Sequence, residues 1–437
     1  MRISTNQIYD SALLGMGRNQ SQLVKLQSQL SSGRRMMTPA DDPIASARAL
    51  DVTQAKEVTA QFARNQGNAG DRLALVDSQL SSLTDLLQSV RTRVIQAGNT
   101  VLSNSDREAI AAELDVRLED MLALANSRNA EGDYLFSGYQ GATAPFARNA
   151  ASSAVSYFGD DGERLLQVTS SQQMATNVAG SDLFMNIREG NGTFVTAAGG
   201  SGVGQNQGQG AIDAGSVLDQ QKWHSAVNGF PWQGASNVGL QIEFSSPGGV
   251  SSYQLFDVST PPPPAAAWPP TPVSAVLPYI AGQAIPLSTT VPVTDFGVQV
   301  VINGAPVAGD TFTIKPSVNK SAFQTMDELI NLLRSPLGAG AAATDYSGKL
   351  AGHLSNLDQV LANISRVQTT VGGKLQSLDS LTSNAVALDL QYQKTLSDLQ
   401  DLDYAQAITD FTRVQVGLEA AQKSFVTATG LSLFSLL

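Results

Sequence analysis

Cysteine is absent from the chain, which removes disulfides, thiolate nucleophiles and thiolate metal sites together. That composition suits a protein that works outside the cell or is repeatedly unfolded. Histidine is limited to His224 and His353, so neither a paired-histidine zinc helix nor a larger histidine site can be built. A Gly-x-Ser-x-Gly elbow is missing, and with it any serine-hydrolase signal. No run of eighteen apolar residues occurs, which excludes a transmembrane helix. The net charge of -11 repels nucleic-acid phosphates. Nothing in the chain calls for a cofactor or a metal. Residues 1–18 contain scattered apolar positions but no continuous apolar core and no small-residue cleavage pattern, so export is expected to proceed without a cleaved signal peptide.

Proline is missing from Ile44 to Ala144 and from Leu337 to Leu437. Because proline costs a helix interior roughly 3 kcal/mol, two arms free of it predict long helices. All prolines except Pro39 and Pro43, and every tryptophan, lie between these arms. The expected fold class is α+β and multidomain: a long coiled-coil-like helical bundle made from both chain ends, with an inserted β-rich domain. Its expected parts are a terminal helical assembly domain (1–40 and 395–437), a helical rod (41–145 and 337–394) and a mainly β insert (146–336). The proline-rich stretch near 260–272 offers a place to divide that insert.

Apolar residues recur at alternating spacings of three and four in both arms, which is the seam of a coiled coil. In the first arm the seam runs through Tyr9, Ala12, Met16, Leu23, Leu26 and Leu30, with Asn19 as a polar gap, and Gly33 ends it. Asp42 followed by Pro43 reads as the cap and first residue of the next helix, whose seam is Leu73, Val76, Leu80, Leu83, Leu87, Val90, Val94 and Ala97. Gly98 and Asn99 stop that run. Ser105 with Glu108 then forms a capping box for a helix through Ile110, Leu114, Leu118, Met121 and Ala125.

The second arm offers Leu350, Leu354, Leu357, Leu361, Ile364, Val371, Leu375 and Leu378, with Gln368 as a polar gap. Leu73, Leu80, Leu83, Leu87, Leu354, Leu357, Leu361 and Ile364 are therefore the expected rod core. The final seam is Phe411, Val414, Leu418, Ala421, Phe425 and Ala428. Little else in the chain is left to cover the outermost seams. Leu23, Leu26, Leu30, Phe411, Val414, Leu418, Ala421 and Phe425 thus form the expected assembly interface. Residues 1–35 are basic and residues 389–437 acidic, which favours pairing of the two termini, modestly because of screening.

Within the insert, Val298, Val300 and Ile302 alternate towards Asn303 and Gly304, and Phe312 with Ile314 alternate beyond Gly309 and Asp310. That pattern predicts a hairpin. Further strands are expected at Ala154–Phe158, Arg164–Val168 and Val238–Phe244, and a short amphipathic helix at Ser321–Arg334. The prolines from Pro261 to Pro264, with Pro269, Pro270 and Pro272, read as an extended spacer. Gly199–Gly204 is a flexible loop, since no Lys-Ser or Lys-Thr follows to complete a phosphate loop. Asp41 and Asp42 read as capping groups in preference to a cation site.

Several of these residues carry a resemblance. Leu30–Arg35 with Asp41, Asp42 and Pro43 resembles the flagellin-type stretch that joins the outer helix to the rod. Tyr134, Leu135, Phe136, Ser137 and Gly138, with Pro145 and Phe146, resembles the hook-filament junction branch of the flagellin superfamily. Gly304–Pro306 with Gly309, Asp310, Phe312 and Ile314 resembles a β motif of hook-associated proteins. The C-terminal stretch is similar too, at Asp401, Asp403, Tyr404 and Ala405, at Leu418–Ala421 and at Leu431–Leu433, without the Gln- and Arg-containing ending of filament flagellin.

The resemblance implies a non-enzymatic, extracellular structural subunit of the bacterial flagellum. It would be exported by the flagellar type III apparatus and would sit between hook-associated protein 1 and flagellin in a ring of its own copies. An export chaperone would hold its C-terminal helix beforehand. The alternatives are a filament flagellin, or a flagellin-like secreted protein whose insert adheres to surfaces or carbohydrate, for which Trp223, Trp232 and Trp268 are the only support.

Overall fold

The computed structural model describes residues 5–99, 101–149, 154–199, 206–228, 238–259, 271–290 and 293–434, with side chains described between 9 and 427. Its helices are α1 (Thr5–Ser32), α2 (Pro43–Ala97), α3 (Asn104–Ala125), α4 (Gln220–Asn228), α5 (Ala322–Arg334), α6 (Ala341–Gln400) and α7 (Tyr404–Phe434). The chain forms two compact units. One comprises Met1–Asn68, Gln167–Gln172 and Leu378–Leu437; the other comprises Ala69–Leu166 and Gln173–Ser377. Their boundaries fall inside α2 and α6.

In the larger unit, α2, α3 and α6 bury one face each. Every residue of the α2 seam from Leu73 to Ala97 is buried, including Leu80, Leu83 and Leu87. Facing it are Ile110, Leu114, Leu118 and Met121 of α3 and Leu350, Leu357, Val360, Ile364, Val367 and Val371 of α6. At about 1.5–3 kcal/mol for each fully buried large apolar side chain, this seam is the main source of bundle stability.

The α6 register needs a correction. Leu354 and Leu361 are only half-buried, while Val360 and Val367 are almost wholly buried. From Leu357 the seam steps by three, then four, through Val360, Ile364, Val367 and Val371. A step of four from Leu357 lands on Leu361, about 100° round the helix from Val360 and so on the flank. Gln368, the polar gap in the expected seam, donates to Ser81 Oγ at 3.0 Å.

The capping box of α3 also moves, by two residues. Ser103, not Ser105, is the N-cap, its Oγ accepting from Asp106 N at 3.1 Å while Asp106 Oδ2 accepts from Ser103 N at 3.0 Å. Asp serves here in the place the expected box gave to Glu108. The Ser103 hydroxyl, which donates to Asp106 Oδ2 at 2.7 Å, and the Ser103 backbone N–H hold that carboxyl below its ordinary pKa.

The β region of the same unit is a sandwich. One sheet has the order 271–272, 252–257, 240–245, 311–316, 194–198, with 277–278 also paired to 252–257; the other has 284–290, 293–303, 211–212, with 216–217 also on 293–303. Phe194, Ile242, Phe244, Leu255, Phe296, Val298, Val300, Ile302, Phe312 and Ile314 share one core between them.

The expected hairpin is therefore wrong in its pairing. Strand Val293–Asn303 pairs with Ala284–Thr290, and Thr311–Pro316 pairs with Leu240–Ser245 and Phe194–Ala198. The turn at Asn303 and Gly304, with Gly304 at φ +84°, carries the chain from one sheet to the other. Alternation only required that Val298, Val300, Ile302, Phe312 and Ile314 face a common core, and two stacked sheets satisfy that as well as one ladder does. The remaining expected strands appear at Val155–Tyr157, Leu165–Gln167 and Leu240–Ser245. Ser321 caps α5 by accepting from Gln324 N.

Candidate assembly surface

In the smaller unit α1 and α7 run antiparallel. Tyr9 near the start of α1 meets Phe425 near the end of α7, with ring centroids 5.6 Å apart and planes at 88°. At the other end of the pair, Leu402 N donates to Gly33 O at 3.0 Å and Arg35 N to Gln400 O at 2.8 Å. The expected interface residues Leu23, Leu26 and Leu30 of α1, and Phe411, Val414, Leu418, Ala421 and Phe425 of α7, are all half-buried. They occupy the facing side of each helix, at heptad spacing.

The terminal seams thus pack against each other within one chain, the pairing that the opposite charges of the two ends favour. The apolar residues left in solvent lie on the other sides of the two helices: Leu13, Leu14 (64 % exposed) and Val24 on α1, and Ile408, Val416 (59 % exposed) and Val426 on α7. Leu13 and Leu14 line a shallow groove on α1 with Asp10, Gly17, Arg18 and Ser21. The basic and acidic termini do lie side by side. Yet Lys25 pairs with Asp41 at 2.6 Å, and Arg413 pairs with Asp410 within its own helix.

The connector between α1 and α2 explains its unusual residues. Gly33 adopts φ +68°, and a Cβ there would stand 2.9 Å from Tyr404 Oη. Arg34 forms an isolated antiparallel bridge with Asp401. Asp41 accepts from Met37 N and Thr38 N at 3.0 and 2.9 Å. With the Lys25 ammonium first among the causes, these bonds hold its carboxyl far below the ordinary carboxylate range. Asp42 Oδ1 accepts from Ala45 N at 3.0 Å, and Pro43 opens α2. Both aspartates are thus engaged in backbone capping.

Also in this unit, the turn at 167–172 lies across α2 and the end of α6. Gln66, itself buried, donates to Val168 O at 2.7 Å, Asn65 donates to Gln167 O at 2.8 Å, and Val168 is fully buried. Beside it a groove is lined by Val58, Phe62, Leu381, Ala385, Leu388 and Tyr392.

The Tyr134–Gly138 motif belongs to the larger unit, where it forms a turn and not an exposed patch. Leu135 and Phe136 are buried, and Phe136 joins Phe184, Phe146 and Phe323 in an aromatic cluster with successive centroids 5.1–5.7 Å apart. Tyr134 lies under the Arg128 guanidinium at 4.2 Å. Gly138 has φ +68°, and a Cβ there would lie 2.0 Å from Asp160 Oδ1. That carboxylate accepts from Tyr139 N and Gly162 N, which lowers its pKa. Only glycine fits.

Trp223 is a core residue, packed 5.3 Å from Phe194 and 5.9 Å from Phe296, and so presents no face to a sugar. Trp232, Trp268, Gly200–Gly204 and the prolines from Pro261 to Pro270 lie outside the described residues. Among the described residues no helix is long and apolar enough to cross a membrane.

Helices at both chain ends, with a β region between them in sequence, are what the flagellin resemblance implies. Residues 3–141 match the bacterial flagellin N-terminal helical region. The chain's relatives are more particular. It is 33 % identical over 187 residues to flagellar hook-associated protein 3 of Salmonella typhimurium, a match covering 43 % of this chain and 58 % of that protein. The corresponding protein of Escherichia coli is 31 % identical over the same extent. The matched stretch thus spans less than two thirds of either relative. The crystal structure of the flagellar junction protein FlgL from Legionella pneumophila superposes with a TM-score of 0.66 at 27 % identity, covering 81 % of this chain and 100 % of that one. The Salmonella and Listeria flagellins are more distant, at 26–28 % identity over 30 % of this chain.

Proposed function

We propose that the chain is a non-enzymatic structural subunit of the bacterial flagellum at the hook-filament junction, seated between hook-associated protein 1 and flagellin. The observation that carries this reading is the paired α1 and α7 with apolar residues exposed on their outer sides. A helix pair that has satisfied its own seam still leaves Leu13, Leu14, Val24, Ile408 and Val416 in water. Burying them between copies in a ring, and against the helices of the adjoining proteins, would remove that cost. The division of labour would keep residues 1–40 and 395–437 for assembly, 41–145 and 337–394 for the rod and 146–336 for the solvent-facing insert. Before export, a chaperone would cover the same α7 surface. The subunit would work outside the cell, on the flagellum.

The test compares two substitutions in α7. Val416→Glu on the outer side should leave the monomer's helix content and melting temperature unchanged while blocking incorporation, seen by electron microscopy as hooks without filaments and flagellin released into the medium. Leu418→Glu, in the seam, should loosen α1 from α7 in the monomer itself. Secretion is measured separately, so that a chaperone defect is not mistaken for an assembly defect. Normal filaments in the Val416→Glu strain would overturn this use of the outer surface.

A further inference from the structure

His353, one of only two histidines, sits in a cluster of charges in the larger unit. Its side chain is 18 % exposed, and Nδ1 is buried without a hydrogen-bond partner, 4.0 Å from Glu328 Oε2. Glu328, on α5, is itself held by Lys320 Nζ at 2.9 Å, and that ammonium also pairs with Glu189 at 3.0 Å. From α6, Lys349 faces the imidazole and pairs with Asp345 at 2.8 Å. A cavity of about 210 Å³ borders the cluster, lined by Glu189, Lys320, Lys349 and His353 and floored by Gly348 and Gly352. It is large enough to hold water beside the ring.

We propose that this cluster is an acid-sensitive latch, in which protonation of His353 adds a third cation beside Lys320 and Lys349 and draws Glu328 away from Lys320. At neutral pH, Lys320 ties the strand Asn319–Lys320 to α5 and, through Glu189, to the strand Ile187–Arg188. An imidazolium carries N–H groups on both nitrogens, so a shift of about 1 Å brings Nδ1–H within charge-assisted hydrogen-bond range of Glu328. Lys320 then loses one of its two carboxylates.

The direction follows from the surroundings. Burial pushes the imidazole below its ordinary value, Lys320 and Lys349 act in the same sense, and Glu328 opposes them. A base whose folded pKa is depressed binds its proton more readily in the unfolded chain. The latch therefore stays closed until pH nears the depressed value of the folded imidazole, while stability starts to fall below the unfolded value of about 6.5, by up to about tenfold in the folded-to-unfolded ratio per pH unit.

The experiment follows thermal unfolding of the full chain at several pH values from about 7.5 to 5, with imidazole NMR and amide exchange on the same samples. Wild type should lose melting temperature across this range, with faster exchange at residues 187–190 and 319–330. His353→Gln should flatten the pH slope, whereas His224→Gln on the exposed face of α4 should keep it. Glu328→Gln should lower the pH at which His353 titrates, a readout that a merely structural role would not move. The proposal is overturned if His353→Gln keeps the wild-type slope, or if wild-type His353 titrates at or above 6.5; the second result stands even if the variant fails to fold.

Discussion

At the scale of single residues, glycine separates strict geometric need from tolerance. Gly138 combines φ +68° with Asp160 Oδ1 at 2.0 Å from any added Cβ. Gly138→Ala should therefore cost about 2 kcal/mol or more, from left-handed strain plus the steric conflict. Gly373, inside α6, has nothing within 4 Å of an added Cβ. Gly373→Ala should stabilise by roughly 0.5–1 kcal/mol, because alanine loses less backbone freedom in a helix. Urea midpoints measure both, and a reversed order would mean that the Tyr134–Gly138 turn is not held as described. Glycine's presence in the motif was legible from sequence. Its reason was not, since Asp160 is distant along the chain.

At the scale of elements, the clearest test lies on α6. Val360→Glu puts an unpaired charge into the buried seam and should cost about 3–5 kcal/mol; Leu361→Glu, on the half-buried flank where the carboxylate reaches water, should cost about 1 kcal/mol. Helix melting followed by circular dichroism distinguishes them, and equal losses would restore the register first read from the leucines. The helices themselves were legible because proline exclusion and a repeat near 3.6 are properties of the chain. Which of Val360 and Leu361 faces inward was not. Both continue an apolar repeat from Leu357, and only the partners Leu73–Val94 and Ile110–Met121 select the stripe.

At the scale of the molecule, the two compact units differ in how deeply their seams are covered. The seam residues from Leu73 to Val94 are 0–2 % exposed, whereas those joining α1 to α7 are half-buried. Amide exchange should accordingly be fastest in α1 and α7 and slowest in α2 beyond Ala69, with protection differing by an order of magnitude or more, as fits local opening that breaks few buried contacts. Assembly should slow exchange in α1 and α7 specifically, once their outer sides are covered. Equal protection in the free monomer would show that the terminal pair is as stable as the bundle.

The chain alone determined that there would be long helices at both ends, strands between them, no thiol chemistry and no multi-histidine site, because composition and local period act before any distant contact forms. It also marked where helices start and stop, at Asp42, Pro43, Gly33 and Gly98. Only the tertiary structure decided that Val360 and not Leu361 joins the α6 seam, that Val293–Asn303 and Thr311–Pro316 lie in opposite sheets, and that His353 meets Glu328 and Lys320. Each of these is a choice among partners that the local pattern leaves equivalent. An apolar stripe demands burial without naming what buries it, and a lone histidine gains a role only when residues far along the chain surround it.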